Sequence, residues 1–178
     1  GTIRLMNEFP DQRAMVLEDP TLIPRMSEEA LRMVSPVIHM RRTAVEETEV
    51  NGQRIGKDEK VVLWYGAANR DPDVFVNPDT FDMHRPNVEK HLAFGHGVHK
   101  CLGSRIAKMQ LRLAFERIFE RFPDIYWTGK QTIAPNALVH AISSMQVNLY
   151  GKNGRRPTQV AVPACLLYTS PSPRDLST

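Results

Sequence analysis

Cysteine is nearly absent from this chain. Two of its 178 residues are Cys, at positions 101 and 165, too few for a disulfide framework. The lack of paired cysteines fits a reducing, cytoplasmic setting. No run of about 18 apolar residues occurs, so this stretch offers no transmembrane helix. Aromatic residues make up 7% and are not interleaved with the basic ones, which argues against a nucleic-acid partner. No internal repeat is present, and no βαβ alternation that would announce a parallel sheet. The charge excess is small, +3 at neutral pH with an isoelectric point near 9.0.

One of the two cysteines has a distinctive setting. Phe94-Gly-His-Gly-Val-His-Lys-Cys101-Leu-Gly103 places it behind a glycine-rich loop and ahead of a long amphipathic segment. There Leu102, Ile106, Met109, Leu111, Leu113, Phe115, Ile118, Phe119 and Phe122 recur at spacings near three and four, an apolar helical stripe. Arg105, Lys108, Arg112, Glu116, Arg117, Glu120 and Arg121 form the polar face, and Phe122-Pro123 ends the helix. Cys101 therefore stands at a helix N-terminus. Free N–H groups and the positive dipole end there favour a thiolate. Gly95, Gly97 and Gly103 permit tight turns and close approach by a flat ligand. Cys165, by contrast, lies in a Pro/Ser-rich tail without periodicity.

Phe-x-x-Gly-x-x-x-Cys-x-Gly followed directly by a helix resembles the haem-binding loop of the cytochrome P450 superfamily, the haem-thiolate monooxygenases. The resemblance implies haem b with Cys101 as the proximal iron ligand, and Phe94, Gly97 and Gly103 around it. Phe94 would pack beside the sulfur, and backbone N–H groups after Cys101 would hydrogen-bond it. Three further segments match in the family's order. Glu29-Ala-Leu-Arg32 spaces two charges for one helix face. Phe81-Asp-Met-His-Arg85-Pro86 supplies the arginine that would complete a buried Glu29–Arg32–Arg85 triad with a structural role. Ser35-Pro-Val-Ile-His-Met-Arg-Arg42, running on to Gly56, supplies an arginine for a haem propionate. Spacing to the following glycine favours Arg42 over Arg41. His91 and His99 flank the cysteine loop at positions that would also meet propionates.

The resemblance further implies a C-terminal portion of the P450 fold: mixed, mainly helical, with small sheets. The chain opens on Gly1 instead of methionine, where the family's long distal helix would end. Residues 1–151 would belong to the P450 domain, residues 152–163 to an unassigned tail. Residues 164–178 resemble a translated sequencing adapter and are set aside. The distal acid–threonine pair would fall outside this portion, so no catalytic residue is assigned within it.

The implied reaction inserts one atom of dioxygen into a hydrophobic substrate. Electrons would come from NAD(P)H through a ferredoxin- or flavodoxin-type partner. Lys100, Arg105, Lys108 and Arg112 gather near the cysteine and would dock that donor. Val37 and Ile38, with Ala137 and Leu138, would line the substrate pocket; fatty acids, alkanes, terpenes or steroids suit such apolar side chains. Rival readings share the same loop: a haem-thiolate enzyme that uses peroxide or rearranges its substrate, a haem-binding sensor or carrier without turnover, or a protein-interaction domain in which a ligand-free Cys101 is purely structural.

Among elements, Asn7–Glu18 and Pro24–Met33 read as helices. Thr43–Val50 and Lys60–Tyr65 read as strands joined through turns at Gly52 and Gly56. The Pro- and Asp-rich stretch Asn69–Asn87 reads as irregular, and Ile125–Trp127 and Leu138–Tyr150 read as closing strands.

Overall fold

The computed structural model describes residues 1–153. The tail expected to be foreign, with Cys165, lies outside the described residues. So does all but the first two residues of the unassigned tail.

Two short helices open the chain, α1 (Thr2–Glu8) and α2 (Pro10–Glu18), where one helix over Asn7–Glu18 was expected. Pro10 is the reason. A residue before proline is pushed out of the α region, and Phe9 sits at φ −122°, ψ 74°. Pro10 then occupies the first turn of α2, where its missing N–H costs nothing. After a 3₁₀ turn at Pro20–Leu22 comes α3 (Ile23–Val34). It buries Ile23, Met26, Ser27, Glu29, Ala30, Arg32 and Met33, so one face carries both apolar residues and a charge pair. Ser35 ends it at φ +43°, and its hydroxyl donates to the Arg32 carbonyl (2.9 Å).

The strands pair otherwise than the sequence reading had it. β1 (His39–Thr43) pairs with β4 (Lys60–Trp64), with Arg42 opposite Val61. β2 (Thr48–Val50) turns back on β3 (Gln53–Ile55) as a separate hairpin. The expected strand Thr43–Val50 thus divides between two ribbons. Asn51 and Gly52, at φ +50° and +78°, supply the tight turn that folds β2 onto β3. A single helical turn, α4 (Tyr65–Ala68), follows β4. From Asn69 to Asn87 the backbone winds without helix or strand, as expected.

The cysteine loop leads into α5 (Ser104–Arg121), which stops at Phe122 before Pro123. β5 (Tyr126–Ile133) and β6 (Ile142–Asn148) close the fold as an antiparallel pair. Leu138 and Val139, expected in the last strand, instead donate their N–H groups to the Asn136 side chain in a turn. The core joins Leu5, Met6, Val16, Ile23, Met26, Ala30 and Met33 to Phe81 and Met83 of the winding segment. Phe115, Phe119 and Ile125 complete it. It therefore clamps the helices around the segment that carries Arg85. Among the described residues no helix is long and apolar enough to cross a membrane.

Candidate functional site

Cys101 is exposed, and its N–H donates to the Phe94 carbonyl (2.8 Å), closing the loop between them. Inside that loop Gly95 and Gly97 both take positive φ, +70° and +66°. A Cβ on Gly95 would lie 3.3 Å from the Tyr65 hydroxyl, so that position also needs glycine for space. A Cβ on Gly97 would meet nothing within 4 Å; that side of the loop is open. The 3₁₀ turn Gly97–His99 lifts Val98 into solvent, at 98% exposure, and Leu102 stands at 101%. Two fully exposed aliphatic side chains thus flank an exposed thiol. α5 begins three residues on, and the Ser104 N–H donates to the Cys101 carbonyl (3.2 Å). A thiol on an apolar, open rim is what a flat macrocycle with a coordinating metal requires, so the donor set fits haem.

The expected triad is assembled. Glu29 accepts from Arg32 through both oxygens (2.8 Å each), and Oε1 also accepts from Arg85 Nε (3.0 Å) and the Asp82 N–H (3.1 Å). Glu29 and Arg32 are wholly buried and Arg85 nearly so. The remaining guanidinium donors reach main-chain carbonyls, Asn69 and Thr80 for Arg32, Val76, Asn77 and Thr80 for Arg85. Both cations also lie over the Phe75 ring. All three side chains are shut off from solvent and spend their donors inside the protein, which is the geometry of a brace.

Asn69 carries the brace to the cysteine loop, and the sequence reading missed it. Its carbonyl holds Arg32 (2.7 Å), its Nδ2 donates to Ser35 (2.8 Å), and its Oδ1 accepts the Leu92 N–H (2.6 Å) at the loop's entrance. Tyr65 was missed too; it follows β4, its hydroxyl occupies the space a side chain at Gly95 would need, and its N–H donates to the Ile38 carbonyl (3.1 Å). The available signal was an asparagine and a tyrosine bounding the run Tyr65-Gly-Ala-Ala-Asn69 after an apolar strand.

His91 departs from its expected role. Its ring is buried, with Nε2 3.0 Å from Glu28 Oε2 and Nδ1 accepting the Ala93 N–H (3.1 Å). Both ring nitrogens are engaged within the protein, leaving no donor for a propionate. Glu28 also holds Lys108 through Oε1 (2.6 Å). Burial pushes the Glu28 carboxyl up, but the hydrogen bonds from His91 and Lys108 and the Lys108 charge outweigh it and leave the group below its ordinary value. Arg42 and His99 remain available. Arg42 is half-buried on β1 and gives one hydrogen bond, to the Arg41 carbonyl (3.0 Å). His99 is exposed at the loop.

Of the four basic residues near the cysteine, Lys108 is tied to Glu28 and Arg112 lies 3.6 Å from Glu116. Lys100 and Arg105 are exposed and have no ion-pair partner among the described residues. The two segments expected to line a substrate pocket do meet. Ile38 N–H donates to the Leu138 carbonyl (2.8 Å), and Val37 bridges Val139. Val37 and Ile38 are half-buried, Ala137 and Leu138 exposed.

The family model for Cytochrome P450 matches residues 16–144. The chain is 41% identical over 151 residues to linalool 8-monooxygenase of Pseudomonas putida, covering 85% of this chain and 37% of that protein. Among solved structures it is similar to cytochrome P450-153 from Novosphingobium aromaticivorans, at 42% identity and a TM-score of 0.77, over 83% of this chain and 37% of that one. It is also similar to P450BioI in complex with an acyl carrier protein ligated to hexadec-9Z-enoic acid. That match is 36% identical with a TM-score of 0.78, over 82% and 38% of the two chains. The chain thus spans under two fifths of the length of these relatives. With the cysteine loop and the Glu29–Arg32–Arg85 brace in place, these matches show that the chain belongs to the cytochrome P450 family.

Proposed function

We propose that this chain forms the cysteine-bearing part of a haem-thiolate monooxygenase. The carrying observation is the exposed Cys101 on the Val98–Leu102 rim, with its N–H fixed to Phe94. Cys101 would hold the iron of haem b. Arg42 and His99 would donate to its propionates, and Phe94, Gly97 and Gly103 would let the ring lie against the loop. Bound haem would supply activation of dioxygen, one atom entering the substrate and the other leaving as water. The electrons would come from NAD(P)H through a ferredoxin- or flavodoxin-type donor docked on Lys100 and Arg105.

The substrate is a hydrophobic small molecule in this reading. The aliphatic Val37, Ile38, Ala137 and Leu138, brought together at the Ile38–Leu138 hydrogen bond, support it. So does the linalool-oxidising relative. A cytoplasmic setting is part of the same proposal.

The test is Cys101→Ser in the haem-loaded protein that carries this chain. The parent's reduced carbonyl adduct should show the far-red-shifted Soret band of thiolate ligation, and the variant should lose it. An unchanged spectrum overturns the ligand assignment. NAD(P)H consumption coupled to hydroxylated product then separates turnover from mere haem binding; consumption without product counts against the monooxygenase.

A further inference from the structure

One charged cluster beside the cysteine loop is not used by the reading above. Glu28 on α3, His91 at the loop's entrance and Lys108 on α5 meet around Phe94. The Lys108 ammonium lies 5.7 Å from the centre of the Phe94 ring, and the His91 ring centre lies 6.0 Å from it. Phe94 is in turn the residue whose carbonyl holds the Cys101 N–H. The cluster therefore grips the loop at the point that fixes the sulfur's backbone.

His91 Nδ1 accepts from the Ala93 N–H, which leaves Nε2 to donate to Glu28. Lys108 is a cation and Glu28 an anion, 2.6 Å apart. The two charges of this pair balance each other. The Glu28 and His91 side chains are 19% and 3% exposed, so a carboxylate left alone there would be poorly screened; Lys108, 40% exposed, keeps more contact with water, and its effect should be the smaller of the two.

We propose that the Glu28–Lys108 ion pair, seated behind Phe94, sets the electrostatic field at Cys101 and thereby the ferric–ferrous potential of a haem bound there. The inference rests on the reading of Cys101 as iron ligand. The redox change concerned adds one electron to the ferric centre and makes or breaks no bond. Glu28 cancels a cation that would otherwise favour that electron. Lys108 acts here as a positioning and charge-balancing residue, in place of the donor-docking role expected from the sequence.

The experiment is an equilibrium redox titration of the haem-loaded protein with small mediators and no protein donor, so docking cannot contribute. Glu28→Gln leaves an unbalanced cation and should raise the midpoint potential. Lys108→Met leaves an unbalanced anion and should lower it. The double variant should return close to the parent, and Lys108→Arg should stay there. A purely structural role would loosen the loop in both single variants and move both the same way.

Shifts of equal sign, or none, overturn the inference. If Glu28→Gln alone fails to load haem, the comparison of Lys108→Met with the double variant decides. Adding Glu28→Gln must then raise the potential, and a fall or no change overturns the proposal. Should Cys101→Ser leave the visible spectrum untouched, the ligand reading itself has failed. A normal Cys101→Ser response with unmoved potentials sinks only this inference.

Discussion

Glu29 accepts four hydrogen bonds in a site with no solvent, three from arginine nitrogens and one from the Asp82 N–H. Such a charge is tolerable only while its partners stay. Arg85→Ala removes one cation and strips donors from Val76, Asn77 and Thr80 carbonyls. It should cost roughly 3–5 kcal/mol of stability, read by chemical denaturation of the holoprotein; a loss below about 1 kcal/mol would show that the brace is dispensable. A spacing of three puts Glu29 and Arg32 on one helix face, but such a pair by itself reads as a solvated surface pair; its burial was reached through the family resemblance. Arg85 was reached through the family resemblance alone, since nothing local ties it to residues over fifty positions away. Asn69 was illegible for the same reason. Its partners are Arg32, Ser35 and Leu92, which only folding brings together. His91 shows the converse: a histidine beside a ligand loop reads as a ligand contact until Glu28 is found against its ring.

At the scale of elements, helix ends followed local chemistry and strand partners did not. Pro123 stops α5 where expected, and Pro10 splits the first helix although the sequence reading ran through it. β1 was overlooked because Met40-Arg-Arg42 lacks the alternation of a half-buried strand; only pairing with β4 fixes it. The start of α5 also carries the docking surface proposed above for an electron donor. Lys108 and Arg112 each have a carboxylate in reach, so their fields are partly cancelled. Lys100 and Arg105 keep theirs among the described residues. Lys100→Glu and Arg105→Glu should therefore slow reduction by an acidic donor by about tenfold at low salt, and Arg112→Glu by less. Stopped-flow reduction across ionic strength checks this. Rates that do not change, or an Arg112→Glu effect as large as the others, would place the docking surface elsewhere.

Across the whole molecule, the apolar stripe of α5 serves two masters. Phe115 and Phe119 enter the core, while Ile106, Met109 and Leu113 stand 58%, 50% and 46% exposed along one side of the same helix. Val98 and Leu102 extend that uncovered surface to the cysteine. The described residues supply nothing to bury it, and contiguous exposed aliphatic surface drives association in water. A polypeptide of residues 1–153 expressed by itself should self-associate, and should take up haem in less than one-to-one ratio because it offers one wall for a two-sided ligand. Sedimentation velocity and the ratio of Soret to protein absorbance measure both. Replacing Ile106, Met109 and Leu113 together by glutamine should reduce the association while leaving far-UV circular dichroism unchanged, since none of the three belongs to the buried core. A monodisperse monomer carrying one haem per chain would show that this surface is closed by the chain itself.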